Sequence, residues 1–143
     1  MPVPAFNLYP DFNVIRVSHT ELVVTDLAAS RAFYVDTLGL QVSAEDSEMI
    51  CLRAMEERGH HCLILRKGND PCCSYLAFRV YSEDDVDKAA AHFSGKGMAT
   101  EWVDRPFQGR TLRVLDPHGI PLRAGVGLRP RESTVSQSKK PSQ

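Results

Sequence analysis

The chain has 143 residues, 43% apolar and 24% charged, which bounds it to one globular domain burying about two-thirds of its unfolded surface and excludes a two-domain enzyme or a disordered chain. Seventeen Lys and Arg against eighteen Asp and Glu leave a net charge of −1, so no global field draws it to nucleic acid or to a membrane surface. Residues 1–12 lack a leader's basic start and apolar core, and no run of about 18 apolar residues occurs, so a soluble cytoplasmic chain is expected.

After an N-terminal extension (1–13), Val14 to Val24 is β-branched and partly alternating, and Thr25-Asp26 supplies an N-cap for a helix over about 27–37, with Gly39 as its C-cap glycine. Three short strands are predicted next, over 40–44, 49–53 and 61–65. The same order then returns. A strand over 74–80 is followed by Ser82, which caps a helix whose first turn carries Glu83, Asp84 and Asp85 and which ends at Gly95 or Gly97. Strands over 100–103, 109–115 and 120–124 complete the unit, the last two joined by an Asp116-Pro117-His118-Gly119 turn. Two β-α-β-β-β units, 14–65 and 74–124, each too small to bury its own sheet, predict an α+β domain over 14–128: paired modules around a common core, their curled mixed sheet forming a cup with helices outside. Residues 129–143 hold four cations against Glu132 alone, a charge of +3 that leaves −4 on residues 1–128, and with Val135 as the one apolar anchor they read as a disordered tail.

The four cysteines, Cys51, Cys62, Cys72 and Cys73, have no Cys-x-x-Cys spacing and read as reduced thiols, with Cys51 and Cys62 packed in the core. His19, between Ser18 and Thr20 on a strand, is expected to line the cup. His60 and His61, adjacent on a predicted strand, should point to opposite faces and so form no chelate. His92 and His118 are expected to face solvent, and Phe33 and Tyr34 to pack in the core.

The string Glu21-Leu22-Val23-Val24-Thr25-Asp26-Leu27, then Ser30-Arg31-x-Phe33-Tyr34-Val35-Asp36-x-Leu38-Gly39-Leu40 and later Asp116-Pro117-x-Gly119, resembles the vicinal oxygen chelate superfamily of paired βαβββ modules. His60-His61-x-Leu63-x-Leu65-Arg66 and Ala77-Phe78-Arg79-Val80 resemble most the amino-terminal domain of type I extradiol dioxygenases of the homoprotocatechuate 2,3-dioxygenase and metapyrocatechase kind. The resemblance implies a homo-oligomeric parent that opens a small aromatic diol in aromatic catabolism with Fe(II), or Mn(II) in some members, and O₂. Such parents carry two similar domains, and the carboxy-terminal one holds the metal and the catalytic residues.

Placed on the superfamily's three ligand positions, this chain offers His19, then Tyr75 where histidine is required, then Arg123 where glutamate is required. His19 is thus the one metal-type residue of an incomplete site, no catalytic or cofactor-binding residue is assigned, and the chain alone is expected to bind no Fe(II). The function implied is the non-catalytic amino-terminal domain of an extradiol dioxygenase. The alternatives are a free-standing glyoxalase-like or drug-binding protein that holds a small aromatic ligand without catalysis, and an assembly module. If the two units are related by a pseudo-two-fold axis, His19 and Tyr75 are symmetry mates facing the concave side, with Val23, Phe78 and Leu63 lining the same cup.

Overall fold

The computed structural model describes residues 5, 7–105 and 107–128; the tail read over 129–143 lies outside them. Strand β1 (Val14–Val24) leads into helix α1 (Leu27–Arg31), whose first turn is closed by Asp26 accepting from the Ala29 amide at 2.8 Å. Where the sequence predicts one continuous helix, the chain runs on from Ala32 to Thr37 as a π-helix, with Leu38 N donating to Phe33 O, and left-handed Gly39 (φ 85°) turns it into β2 (Gln41–Glu45). Strands β3 (Met49–Arg53) and β4 (Leu63–Lys67) close the first unit. The second repeats it: β5 (Cys72–Val80), α2 (Glu83–Gly95), β6 (Thr100–Arg105), β7 (Gly109–Leu115) and β8 (Pro121–Gly125).

All eight strands form one open mixed sheet in the order β2-β3-β4-β1-β5-β8-β7-β6. Strands β1 and β4 pair in parallel, as do their counterparts β5 and β8, and the units meet along an antiparallel β1–β5 seam. In that seam His19 faces Ala77 and Glu21 faces Tyr75. Exchanging His19 with Tyr75 and Glu21 with Ala77 maps the seam onto itself, as a two-fold axis requires.

Apolar packing is divided between the units rather than shared in one core. Val86 and Ala89 of α2 bury against Val80, Leu112 and Ala124, while Leu27, Tyr34 and Val35 cover Ile50, Leu52, Leu63 and Leu65. Each cluster lies on the helix-covered face, where period-2 alternation sends Ile50 and Leu52, Leu63 and Leu65. Leu63 therefore packs against the first helix, not in the cup, because it has the parity of Leu65. Phe78 borders a small recess with His19 and Arg123, and Val23 packs against Gly68. Phe33, expected inside, is 54% exposed, since the π-helical turn presents Tyr34 and Val35 to the core instead. His92 is not free in solvent: its imidazole pairs with Asp11 and meets the rings of Phe12 and Phe93. His118 is exposed in its turn. No helix among the described residues is long and apolar enough to cross a membrane.

Candidate functional site

The face left uncovered by helices is polar at its centre. Alternation along β1 puts His19 and Glu21 on it, and both are buried. From the partner strand Tyr75 projects beside them, its ring edge-on to His19 with centroids 5.5 Å apart. Arg123 on β8 reaches over from the second unit, its guanidinium 3.5 Å from the Tyr75 ring centre. His19, Tyr75 and Arg123 therefore converge on one point of one face.

Gln108, in the β6–β7 turn, ties them together: its amide donates to the Tyr75 hydroxyl at 3.1 Å, and its carbonyl accepts from Arg123 at 3.4 Å. Within the first unit Arg66 of β4 grips Glu21 of β1 with two hydrogen bonds, of 3.1 and 2.8 Å. Gln108, buried in a turn, is not singled out by the sequence; Arg66 and Glu21 stand in the motifs that carry the resemblance, but without a role assigned to them.

Burial governs the charges. It pushes the His19 imidazole down to about 4, with the Arg123 cation adding to the effect. His61, whose ring lies 5.1 Å from that of His19, is pushed down to about 3, again chiefly by burial. Burial raises the Glu21 carboxyl, but the bonds from Arg66 outweigh it and hold the group below the ordinary carboxylate range. Burial likewise raises the Tyr75 phenol and lowers the Arg123 guanidinium. Both histidines are neutral near pH 7, and His19 Nε2, His61 Nε2 and Arg123 Nε are buried without a hydrogen-bond partner.

This donor set does not suit a divalent cation. Of the three converging groups, one imidazole can ligate, a phenol with a raised pKa holds its proton, and a guanidinium has no lone pair to give and repels the ion. Around His19 and Arg123 the open space is only about 10 Å³, room for at most one water. A larger cavity of about 210 Å³ opens beside them, between Glu21, Arg66, Tyr75, Arg105, Phe107 and Gln108. Its lining runs from β3 to Arg105 at the end of β6, at the other side of the sheet, which requires the sheet to curl. It is smaller than a drug-sized pocket and offers cationic and aromatic walls to a small ring compound.

Cys51 and His61 lie on the same cavity wall. His60 and His61 precede β4 in irregular chain, so strand alternation does not separate them, and their Nδ1 atoms share a hydrogen bond of 2.9 Å. Cys51, His60 and His61 each place a donor atom within 4.8 Å of the others. The expectation that the two histidines look opposite ways is thus overturned, because the strand begins two residues later than predicted. Cys51 is buried as expected, but on the cavity side of β3 rather than under a helix.

Residues 16–123 match the family model described as the glyoxalase/bleomycin resistance protein/dioxygenase superfamily. The chain is 29% identical over 112 residues to the manganese-dependent 2,3-dihydroxybiphenyl 1,2-dioxygenase of Geobacillus genomosp. 3, covering 76% of this chain and 36% of that one. It is 24% identical over 111 residues to the metapyrocatechase of Geobacillus stearothermophilus, covering 77% and 34%. Among solved structures, homoprotocatechuate 2,3-dioxygenase from Brevibacterium fuscum in complex with 3,4-dihydroxyphenylacetate superposes with a TM-score of 0.80 at 44% identity, over 86% of this chain and 40% of that one. The chain spans about a third of the length of these two dioxygenases, and 92% of the uncharacterized protein YaeR of Escherichia coli, to which it is 29% identical over 120 residues.

Proposed function

Because the chain belongs to the glyoxalase/bleomycin resistance protein/dioxygenase superfamily, we propose that it serves as the amino-terminal, non-catalytic domain of an extradiol ring-cleaving dioxygenase. The parent acts on a small aromatic diol in the cytoplasm as a homo-oligomer, and its Fe(II) or Mn(II) is held by a second domain of the same fold. The observation that carries this reading is the Arg123 guanidinium stacked on Tyr75 beside His19. A cation and a phenol occupy the places where a catalytic domain of this superfamily keeps its glutamate and second histidine. What the residues do there is structural: Arg123, Tyr75 and Gln108 bridge β8, β5 and the β6–β7 turn, and Arg66 with Glu21 bridges β4 to β1. Each unit is thereby braced internally without an ion, and the edge-on contact of the His19 and Tyr75 rings joins the two across the seam.

The test has two arms. The chain loaded with Fe(II) or Mn(II) and dialysed should retain well under one equivalent by elemental analysis, and with catechol or homoprotocatechuate and O₂ it should form no yellow ring-opened semialdehyde. Residues 16–123 exchanged for the matching segment of the Brevibacterium fuscum enzyme should give a chimera that still cleaves homoprotocatechuate. Turnover by the chain alone, or a soluble, metal-loaded chimera without activity, would overturn the reading.

A further inference from the structure

Cys51 is fixed on β3 opposite Ile64 of β4, and the connection between those strands folds back over it. That return is pinned along its length. Glu57 accepts from the Gly59 amide at 2.8 Å and pairs with Arg16 at 3.3 Å; Cys62 N donates to Leu52 O at 2.8 Å, and Thr20 N donates to Cys62 O at 3.1 Å. Between those anchors sit His60 and His61. The His60 ring is further clamped by Phe107, which stacks on it with centroids 4.1 Å apart and planes 6° from parallel. To do so Phe107 adopts a left-handed backbone (φ 68°), the one non-glycine residue to do this among those described. A bulky side chain held there stores strain of a kind found where a structure presets a functional geometry.

We propose that Cys51, His60 and His61 form a binding site for a borderline-soft divalent cation of the Zn(II) class, separate from the His19 position. Burial pushes the Cys51 thiol up to about 11, so the ion binds by displacing the thiol proton to solvent; the resulting thiolate with two imidazoles suits Zn(II) and disfavours Mg(II), Ca(II) and Mn(II), which prefer oxygen. With metal–nitrogen bonds of about 2.0 Å and metal–sulfur bonds of about 2.3 Å, a tetrahedral ion needs its donors about 3.3–3.6 Å apart. One donor atom of each residue lies within 4.8 Å of the others, so closure on an ion takes about an ångström of side-chain adjustment. Cys51 and His61 are each 1% exposed, and no protein group competes for His61 Nε2. The nearby Glu21 and Arg66 neutralise each other, so neither charge opposes the ion alone. Three protein ligands leave a fourth position open toward the cavity. The site stands on this geometry alone and holds whether or not the chain is part of a dioxygenase.

Untagged protein, stripped with EDTA and freed of it, is titrated with Co(II) as a spectroscopic stand-in and then with Zn(II). One equivalent of Co(II) should bring up the near-ultraviolet thiolate-to-cobalt charge-transfer band with the visible bands of tetrahedral cobalt, and Zn(II) should abolish both. A Cys62→Ser/Cys72→Ser/Cys73→Ser background should keep the signal, Cys51→Ser in that background should erase it, and His60→Gln should weaken Zn(II) binding by more than the roughly 10–100-fold that loss of an outer-shell partner causes. Should Cys51→Ser fail to fold, His60→Gln with a cooperative melt decides alone. Absence of the charge-transfer band, or Cys51→Ser or His60→Gln titrating like the parent, would overturn the proposal.

Discussion

His19 offers a test of the electrostatics at the centre of the sheet. It is 5% exposed, and burial together with Arg123 keeps its imidazole neutral down to about pH 4. The unfolded chain takes up the same proton near pH 6.5. Its contribution is therefore fully present above pH 6.5 and is lost as pH falls toward 4, because over that interval the unfolded state binds more protons than the folded one. From pH 7 to pH 5 about 1.5 pH units of this window are crossed, which at 1.36 kcal/mol per unit costs about 2 kcal/mol. Replacing His19→Asn keeps a polar group near Ser18, whose hydroxyl shares a 3.1 Å hydrogen bond with His19 Nδ1, and removes the titration. The variant should start less stable at pH 7 and lose less on acidification. In urea melts of metal-free protein followed by circular dichroism, the gap between parent and variant should shrink by about 2 kcal/mol between pH 7 and pH 5. His61, pushed down to about 3 chiefly by burial and less by His19, stays neutral in the folded state over this interval and steepens both curves. Parallel curves would refute the claim that His19 is held neutral by burial and Arg123.

Tyr75→Phe should cost about 1–3 kcal/mol in the same melts, since it strands the Gln108 amide, which donates to the Tyr75 hydroxyl in a buried turn, while leaving the ring under Arg123. Ser82→Ala should cost about 1 kcal/mol by removing the hydroxyl that accepts from Asp85 N at 3.2 Å and closes the first turn of α2. Leu52→Ala, at a fully buried position under the first helix, should cost about 2–5 kcal/mol and lower the midpoint without changing the denaturant slope.

The course of the chain was legible because its signals are local. Asp26 and Ser82 cap their helices by accepting from amides three residues on, the first and fifth strands carry alternating patterns, and left-handed Gly39 stands where the first helix must stop. Periodicity of this kind depends only on near neighbours, so the β-α-β-β-β order and its repetition could be read directly. That His19 and Tyr75 share one face follows from that repetition, since equivalent strands place equivalent residues alike; Arg123 was expected beside them only on the resemblance to the superfamily's ligand positions. The helix 27–37 shows where local reading ends: its composition does not register that the second half widens into a π-helix, which turns Phe33 outward and Tyr34 inward.

What only the tertiary structure decided depends on parts of the chain far apart in sequence. The concave face is polar instead of a common apolar core because each helix covers its own unit's far side, leaving Glu21 and Arg66 of the first unit, and Tyr75, Gln108 and Arg123 of the second, to satisfy one another within their units. Gln108 gains its role from a turn that brings it under Tyr75, 33 residues away in sequence. His60 and His61 read as a strand pair facing opposite ways. A strand start at Leu63, a pinned return loop and the Phe107 ring turn them together onto Cys51. No short-range pattern encodes that arrangement, because side-chain direction in irregular chain is set by the tertiary hydrogen bonds and ring contacts that hold the loop, not by a backbone period.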